Sequence, residues 1–298
     1  MTLIKSISGI RGIVDNGLNY GIIEKFVFSF LKFQKPGPIL IARDGRNHGL
    51  DFSKKICHSL KVNGQKVIDC GIIPTPTAQF IVEKNNYSGG IVITASHNPT
   101  EWNGLKFIDN DGTFIKPEKY KKLLALYENK EDIILESNSK SEIIDYNNAA
   151  VNKHLNNIIK LSSINLNQIK NKKYKIVIDA VNSSTSKILP LLLERLSCKV
   201  TTLNCNADGN FTRGAEPLPH NLSELSKTVV ETESDLGIAI DPDGDRLAIV
   251  DEKGNPIGEE STLVICCESI LMSKEIKTPL VTNLSTSCLL YTSPSPRD

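Results

Sequence analysis

The stretch GIVITASHNP, residues 90–99, decides the fold class of this chain. Its first half, GIVIT, is a short continuous apolar run, which is typical of a strand buried on both faces of a sheet. Its second half is polar, and Pro99 prevents an immediate return to a helix. The stretch therefore predicts a buried strand that ends in an exposed loop at its carboxyl end. In open α/β sheets this is the edge at which ligands bind.

Strands and helices alternate on both sides of this stretch. The rhythm predicts an α/β fold made of repeated three-layer α/β/α domains, whose sheets are mixed and mostly parallel. Apolar residues at helical spacing predict helices near 22–31, 52–60, 77–84, 117–127, 142–160 and 259–274. Short apolar runs predict strands at 39–42, 66–69, 90–94, 175–180, 199–204, 235–240 and 278–284, and 247–252 is predicted to return as a hairpin partner of 235–240.

The polar stretch ENKEDIILESNSKSE interrupts this rhythm and predicts a domain boundary. We assign residues 1–138 to a first domain and 139–253 to a second. Residues 254–287 read as the start of a third domain, which is interpreted as truncated. The last segment, 288–298 (CLLYTSPSPRD), has no hydrophobic period and is interpreted as a non-native tail.

Composition excludes several classes of protein. The formal net charge is only +1 and the basic residues are scattered, so nothing predicts a nucleic-acid-binding face. No apolar run is long enough to cross a bilayer, and the start of the chain lacks the apolar core of a signal peptide. The seven cysteines form no C-x-x-C pair, and their odd number suits reduced thiols. These observations predict a cytoplasmic protein that binds neither membrane nor nucleic acid.

Ser96 is the first candidate for chemistry, because it lies in the predicted loop after GIVIT. The alternative is a plain turn, since Ser, Asn and Pro are turn formers. An esterase serine is not favoured, because the G-x-S-x-G elbow is absent and His97, next in sequence, is poorly placed to act as its base.

The second candidate segment is DPDGDR, residues 241–246, which follows the apolar strand LGIAI. Three carboxylates at alternate positions repel one another unless a cation gathers them. Hard oxygen ligands favour magnesium or calcium over zinc. An EF-hand is excluded, because Arg246 stands where that loop needs glycine and a strand follows. A solvated acidic turn is the remaining alternative.

The two segments together predict more than either does alone. A phosphate on Ser96 would add about −1.5 to −2 charges close to three carboxylates. Such a cluster needs a divalent cation, which would also stabilise the serine oxygen as a leaving group. A phosphorylated serine opposite three aspartates is therefore interpreted as a phosphoryl-transfer site.

Both segments resemble the phosphoserine loop and the metal loop of the α-D-phosphohexomutases, which include phosphoglucomutase, phosphomannomutase and phosphoglucosamine mutase. The resemblance covers about residues 1–287. Further segments match in the family's order: 8–12 (SGIRG), 43–46 (RDGR), 71–77 (GIIPTPT), 103–107 (NGLKF) and 216–219 (EPLP). The opening TLIKSISGIRG (2–12) and the stretch ITASHNPTEWNGLKF (93–107) look most like bacterial relatives assigned as phosphoglucosamine mutases.

The resemblance implies roles for eight residues. Ser96 would be the phosphoserine, and its phosphate would bind Mg²⁺ together with Asp241, Asp243 and Asp245. Three cations, Arg11, Lys106 and Arg246, would neutralise the phosphate and the bound intermediate. His97 or Lys106 would act as general base or acid. The alternative for each cation is a solvated surface charge, and for His97 a purely structural role in the loop.

The resemblance also implies a substrate and an intermediate. A phosphorylated hexose or hexosamine would be converted between its 6-phosphate and 1-phosphate through a hexose 1,6-bisphosphate. Alternatives are a phosphatase that uses the same phosphoenzyme, or a metal-binding module that does not turn over. The chain departs from the family in two ways. The sugar-recognition and phosphate-binding loops of the family's third and fourth domains lie outside it. In the second domain, NSSTS (182–186) lacks the glycines that the family often has at the start of the corresponding helix.

Overall fold

A computed structural model describes residues 3–129 and 141–273 of the chain. Within these residues the strands form two sheets, each flanked by helices. The predicted α/β class with mixed, mostly parallel sheets is confirmed.

The first sheet has eight strands: β1 (Leu3–Ser6), β2 (Gly9–Val14), β3 (Gly17–Leu18), β4 (Ile39–Arg43), β5 (Val67–Ile72), β6 (Gly89–Ile93), β7 (Trp102–Asp109) and β8 (Ile143–Asp145). Their order is β1-β2-β7-β6-β4-β5-β8, and β3 pairs with β2. The strands β6, β4, β5 and β8 run parallel, whereas β7 is antiparallel to both β6 and β2. The helices are α1 (Tyr20–Leu31), α2 (Asn47–Val62), α3 (Thr75–Lys84), α4 (Pro117–Glu128) and α5 (Asn147–Ile158).

The central strand β4 shows why this sheet is covered on both faces. Successive side chains of a strand point to opposite faces. Ile39 and Ile41 lie in one core cluster with apolar residues of α1, α2 and α4. Leu40 and Ala42 lie in the other, with residues of α3 and α5. A strand buried on both faces has to be apolar at every position, which is the pattern the sequence shows.

The second sheet has the order β10-β9-β11-β12. Its strands are β9 (Lys175–Asp179), β10 (Lys199–Leu203), β11 (Leu236–Ile240) and β12 (Leu247–Val250). The strands β10, β9 and β11 are parallel, and β12 returns antiparallel to β11, as the sequence predicted. After α5 the chain forms four more helices in the described part: α6 (Leu166–Lys172), α7 (Ile188–Arg195), α8 (Ser223–Glu231) and α9 (Glu259–Ser273). A 3₁₀ turn lies at Pro219–Asn221.

The predicted helix near 142–160 begins later than expected. The segment 142–160, assigned to the second domain as a helix, begins with strand β8, which extends the first sheet by pairing with β5. The helix α5 then packs its buried face, Ala150 and Leu155, into the core of the first sheet. The reason is long-range strand pairing, which a three-residue strand does not reveal in sequence. The domain limits themselves stay predictions.

Two further predictions concern the end of the chain. The predicted helix near 259–274 is present as α9. The predicted strand at 278–284 and the tail at 288–298 lie outside the described residues. Among the helices of the described part, none has the length and apolar character needed to cross a bilayer.

Candidate active site

The candidate site lies where the carboxyl ends of strands from both sheets meet. The segment after β6, residues 94–98, is called the serine loop here, and the segment after β11, residues 241–246, the acidic loop. Two more loops support them: 44–46 after β4 and 180–186 after β9. Parallel strands bring these loops to one edge of each sheet, as expected for a ligand site in this class of fold.

The serine loop turns the hydroxyl of Ser96 toward the acidic loop. Ser96 has a left-handed φ of +53° and is only 3% exposed. Its backbone N–H donates a 2.8 Å hydrogen bond to Oγ1 of Thr94, which holds the turn. Its own Oγ lies 3.3 Å from Oδ2 of Asp241. A left-handed φ is uncommon outside glycine and recurs at functional sites.

A buried ion pair supports the serine loop from below. Asp44 and Arg46 contact each other and are almost completely buried. Arg46 donates to the carbonyl oxygens of Ser96, at 2.9 Å, and of Asn98. Thr94 Oγ1 donates to Oδ2 of Asp44 at 2.6 Å. In the sequence RDGR was only a further match to the family, whereas the structure places it in direct contact with the loop that carries Ser96.

The acidic loop is a tight turn closed by its own first residue. Oδ1 of Asp241 accepts hydrogen bonds from the backbone N–H groups of Asp245 and Arg246, at 3.0 and 3.1 Å. Gly244 has a φ of +76°, and a Cβ there would lie 2.8 Å from Cβ of Pro74. Only glycine fits this position without a shift of its neighbours.

This turn gathers the three predicted carboxylates. One oxygen each of Asp241, Asp243 and Asp245 lies within 4.8 Å of the others. Burial, followed by the charges of the other two carboxylates, raises the pKa of Asp241 well above its ordinary value. Oδ1 of Asp243 is buried and has no hydrogen-bond partner among the described residues. An unpaired buried carboxylate oxygen beside two other carboxylates fits a hard divalent cation such as Mg²⁺.

Lys106 connects strand β7 to this cluster. Its Nζ lies 2.6 Å from Oδ2 of Asp243 and 2.6 Å from Oδ2 of Asp245. Burial opposes the charged form of Lys106, but the two carboxylates outweigh it and raise its pKa. In the same way burial opposes the ionised form of Asp243, yet the Lys106 ammonium holds the pKa of Asp243 below its ordinary value. One ammonium does not balance three carboxylates, so the cluster keeps an excess of negative charge.

Thr75 is a contact that sequence reasoning missed. It begins α3, directly after Pro74, and lies across from the acidic loop. Its N–H donates to the carbonyl oxygen of Asp243 at 2.8 Å, and its hydroxyl donates to Oδ2 of Asp243 at 2.5 Å. The segment GIIPTPT resembled the family, which is the only sequence signal for this position.

Arg11, His97 and Arg246 lie at the rim of the cluster. Arg11 donates to Oδ1 of Asn98 at 3.1 Å, and Arg246 pairs with Glu216 at 2.5 Å. His97 places Nδ1 3.4 Å from Oγ of Ser96. Burial, and then the nearby charge of Arg246, lowers the pKa of His97, so its neutral form is favoured near pH 7. All eight predicted site residues therefore belong to one connected region.

A cleft opens beside this region, between the serine loop and the segment that precedes α8. Its volume is about 450 Å³. His97 and Pro99 line one side, and Phe211, Glu216 and Leu218 line the other. A small polar ligand entering this cleft would meet His97 directly.

Two family models match the chain. The model described as phosphoglucomutase/phosphomannomutase, alpha/beta/alpha domain I, matches residues 3–133. The model for domain II of the same family matches residues 152–254. The chain belongs to the α-D-phosphohexomutase family. The matched residues include both loops of the site.

Curated relatives agree with this assignment. A phosphoglucosamine/phosphogalactosamine mutase of Sulfurisphaera tokodaii is 35% identical over 288 residues, which is 95% of this chain and 62% of the relative. A phosphoglucosamine mutase of Prochlorococcus marinus is 33% identical over 92% of this chain and 60% of its own. The chain thus spans about 60% of the length of these relatives.

A solved structure shows the same fold. The crystal structure of a phosphoglucomutase/phosphomannomutase family protein from Burkholderia thailandensis superposes with a TM-score of 0.75 at 25% identity. The match covers 91% of this chain and 60% of that one.

Proposed function

We propose that this phosphohexomutase chain carries the phosphoserine and the metal site of an enzyme that moves a phosphoryl group between two positions of a sugar phosphate. One observation carries the proposal: the buried Ser96 hydroxyl lies 3.3 Å from Asp241, inside a cluster of three carboxylates. A plain turn has no need of a serine buried against uncompensated negative charge, which costs free energy unless a cation is bound.

Asp241, Asp243 and Asp245 would hold Mg²⁺, and the unpaired Oδ1 of Asp243 is the oxygen best placed to accept it. The bound ion would withdraw charge from the phosphate of Ser96 and stabilise the serine oxygen during transfer. The protein's part is to position the three carboxylates before the ion arrives, through the hydrogen bonds to Asp241 and Asp243.

The proposed reaction has two steps. In the first, the bond between Oγ of Ser96 and phosphorus breaks, the phosphoryl group bonds to the free hydroxyl oxygen of a sugar monophosphate, and the proton of that hydroxyl ends on Oγ of Ser96, giving a bisphosphate. In the second, the bond between the other phosphoryl group and its sugar oxygen breaks, the group bonds to Oγ of Ser96, and the serine proton ends on that sugar oxygen. His97, with a pKa lowered by burial, is suited to accept the proton of the attacking hydroxyl. Lys106 stays protonated beside the carboxylates and would neutralise phosphate oxygens with Arg11 and Arg246.

The proposed substrate is a hexosamine phosphate, because the relatives at 35% and 33% identity are named phosphoglucosamine mutases. Hexose phosphates of the phosphoglucomutase and phosphomannomutase type are the alternative, supported by the name of the family models. The cytoplasmic location stays a prediction from composition.

The test is phosphoryl uptake from a hexose 1,6-bisphosphate. The chain is incubated with Mg²⁺ and the bisphosphate, and its intact mass and peptides are measured. We expect one added phosphoryl group on Ser96, lost in Ser96→Ala and after chelation of the metal. The control is Ser8→Ala, which removes an exposed serine hydroxyl outside the site. Absence of phosphate from Ser96 in the wild type would overturn the proposal.

The same samples separate the rival functions. Release of inorganic phosphate without isomerisation would favour a phosphatase. We expect full turnover to need the part of the relatives that this chain does not span, since it covers 62% of the first relative, whereas phosphoryl uptake by Ser96 tests the two matched domains alone. Isomerisation of a hexosamine phosphate by this chain alone would contradict that expectation.

A further inference from the structure

The segment NSSTS (182–186) is the part of the sequence that the proposed function does not use. It has serine and threonine where the family often has glycines, and all five of its residues are buried. It lies at the carboxyl end of β9, where it is wedged between the loop 44–46 of the first sheet and the acidic loop of the second.

Ser183 makes the contacts that join these two loops. It is 0% exposed. Its Oγ accepts a 2.8 Å hydrogen bond from the backbone N–H of Gly45. The same Oγ donates a 2.6 Å hydrogen bond to the carbonyl oxygen of Pro242. One hydroxyl therefore satisfies a backbone donor 138 residues away and a backbone acceptor 59 residues away.

Gly45 and Pro242, the two residues that Ser183 joins, are each next in sequence to residues that form the site. Gly45 lies between Asp44 and Arg46, and Arg46 donates to the carbonyl oxygen of Ser96. Pro242 lies between the two buried carboxylates, Asp241 and Asp243. A displacement of either end would move Ser96 relative to the acidic loop, since the backbone between neighbouring residues has only two soft torsions.

Gly45 and Ser183 pack closely against each other, with no room for a side chain at Gly45. A Cβ on Gly45 would lie 2.8 Å from Cα of Ser183 and 2.7 Å from the carbonyl oxygen of Asn182. The backbones already touch, and the Ser183 hydroxyl fills the remaining space with two directional bonds. Alanine at 183 would leave the buried Gly45 donor without this partner, which is costly, while the Pro242 oxygen would keep only the 3.2 Å hydrogen bond from the Ser184 N–H.

We propose that Ser183 is a positioning residue, whose hydroxyl fixes the serine loop against the acidic loop. Its importance for catalysis rests on the proposed function, but the link itself is a property of the folded chain. Thr75 holds the acidic loop from a second direction through Asp243, so Ser183 and Thr75 together would define its place.

The test is amide hydrogen exchange in the metal-free, substrate-free chain. Ser183→Ala should accelerate exchange about tenfold in peptides that cover both the serine loop and the acidic loop, because one or two buried hydrogen bonds are lost. Ser183→Cys has nearly the same shape and keeps a weak donor and acceptor, so its exchange should be slower than that of Ser183→Ala.

The matched control is Ser29→Ala. Ser29 is also 0% exposed and its hydroxyl donates a 2.7 Å hydrogen bond to the carbonyl oxygen of Lys25 in α1. This variant loses a buried hydroxyl far from the site, and exchange in the two loops should not change. Equal acceleration by both alanine variants would mean a general loss of stability and would overturn the proposal. So would unchanged exchange in Ser183→Ala, or acceleration confined to one loop.

If Ser183→Ala does not fold, the exchange rate of the Gly45 amide in the wild type tests the proposal instead. The Gly45 amide should exchange slowly, because Oγ of Ser183 accepts from it. A freely exchanging Gly45 amide contradicts the link. Failure of phosphoryl uptake at Ser96 would instead overturn the proposed function and leave this result standing.

Discussion

The serine loop and the acidic loop face each other, but the protein stabilises them in different ways. The serine loop rests on paired charges: Arg46 is paired with Asp44, and Thr94 bonds to both Asp44 and the Ser96 amide, although Nε of Arg46 has no hydrogen-bond partner among the described residues. The acidic loop has three carboxylates next to one ammonium, that of Lys106, and among the described residues a buried oxygen of Asp243 has no hydrogen-bond partner. The buried charges that support the serine loop are paired with each other, whereas the acidic loop carries charge that an external cation would balance.

This difference suggests separate tasks: the ion pair under the serine loop holds the fold, and the acidic loop supplies affinity for a metal ion. A buried ion pair contributes little net stability compared with apolar packing, but breaking it by removing one partner is strongly destabilising. An incomplete acidic cluster destabilises the fold until a ligand binds, and binding then stabilises it. We therefore expect variants of the serine loop and of the loop 44–46 that supports it to affect folding, and variants of the acidic loop to affect metal affinity.

The largest expected effect belongs to Arg46→Met. The variant leaves Asp44 buried without its cation and removes the donor to the Ser96 carbonyl. We expect the free energy of unfolding to fall by about 3–5 kcal/mol, measured by urea denaturation. Arg195→Met is the control, because that side chain bonds only to exposed Asn152 and Asn156 and should change stability by less than about 1 kcal/mol. Similar losses in both variants would contradict the distinction between the loops.

The next effect is on metal binding and concerns Asp243→Asn. This change keeps the shape of the side chain but removes its charge, so Mn²⁺ or Mg²⁺ affinity should fall at least about 100-fold, measured by calorimetry. The control is Asp109→Asn, which alters another buried aspartate paired to a lysine, Lys119, at 2.6 Å. Its metal affinity should not change. Retained affinity in Asp243→Asn would show that the acidic loop is not the metal site.

The smallest effect is the pH dependence of the metal-free chain. Since the pKa of Asp241 is raised, the folded state binds this proton more tightly than the unfolded chain. The folded state is therefore stabilised as pH falls through the raised pKa, and the gain is complete below the ordinary value of 3.8. The slope from this group is at most about 1.4 kcal/mol per pH unit.

The check compares denaturation midpoints against pH for the wild type and Asp241→Asn, both in chelator. The difference between their slopes isolates the Asp241 contribution from that of other carboxylates. If the two slopes are identical, Asp241 does not carry the uncompensated charge. Added Mg²⁺ should reduce the slope of the wild type, because the cation favours the ionised carboxylate.

Particular residues show which parts of this organisation could be read from the sequence. The runs GIVIT and LGIAI predicted buried strands, and the polar residues after them predicted loops at the ligand-binding edge. The hairpin to LAIVDE was also recognisable, because a short turn connects two apolar runs. Lys106 and Arg11 were singled out only through family resemblance, since a single cation in an ordinary context has no distinctive pattern.

The missed contacts are all long-range. Thr75 looks like an ordinary polar residue at a helix start and Ser183 like one in a loop, and Arg46 looks like a surface cation until its burial is known. The strand β8 has three residues and became visible only through its pairing with β5. Local sequence does not contain this information, because each of these roles depends on a partner far along the chain.

The sequence by itself determined the alternation of strands and helices, and the residue types of both loops, because these follow from local hydrophobic period and turn chemistry. The tertiary structure alone decided that Ser96 and Asp241, 145 residues apart, approach within 3.3 Å. It also decided that the loop around Gly45 and the acidic loop share one hydroxyl. The physical reason is that packing between two sheets sets these distances, and packing is a property of the whole folded chain.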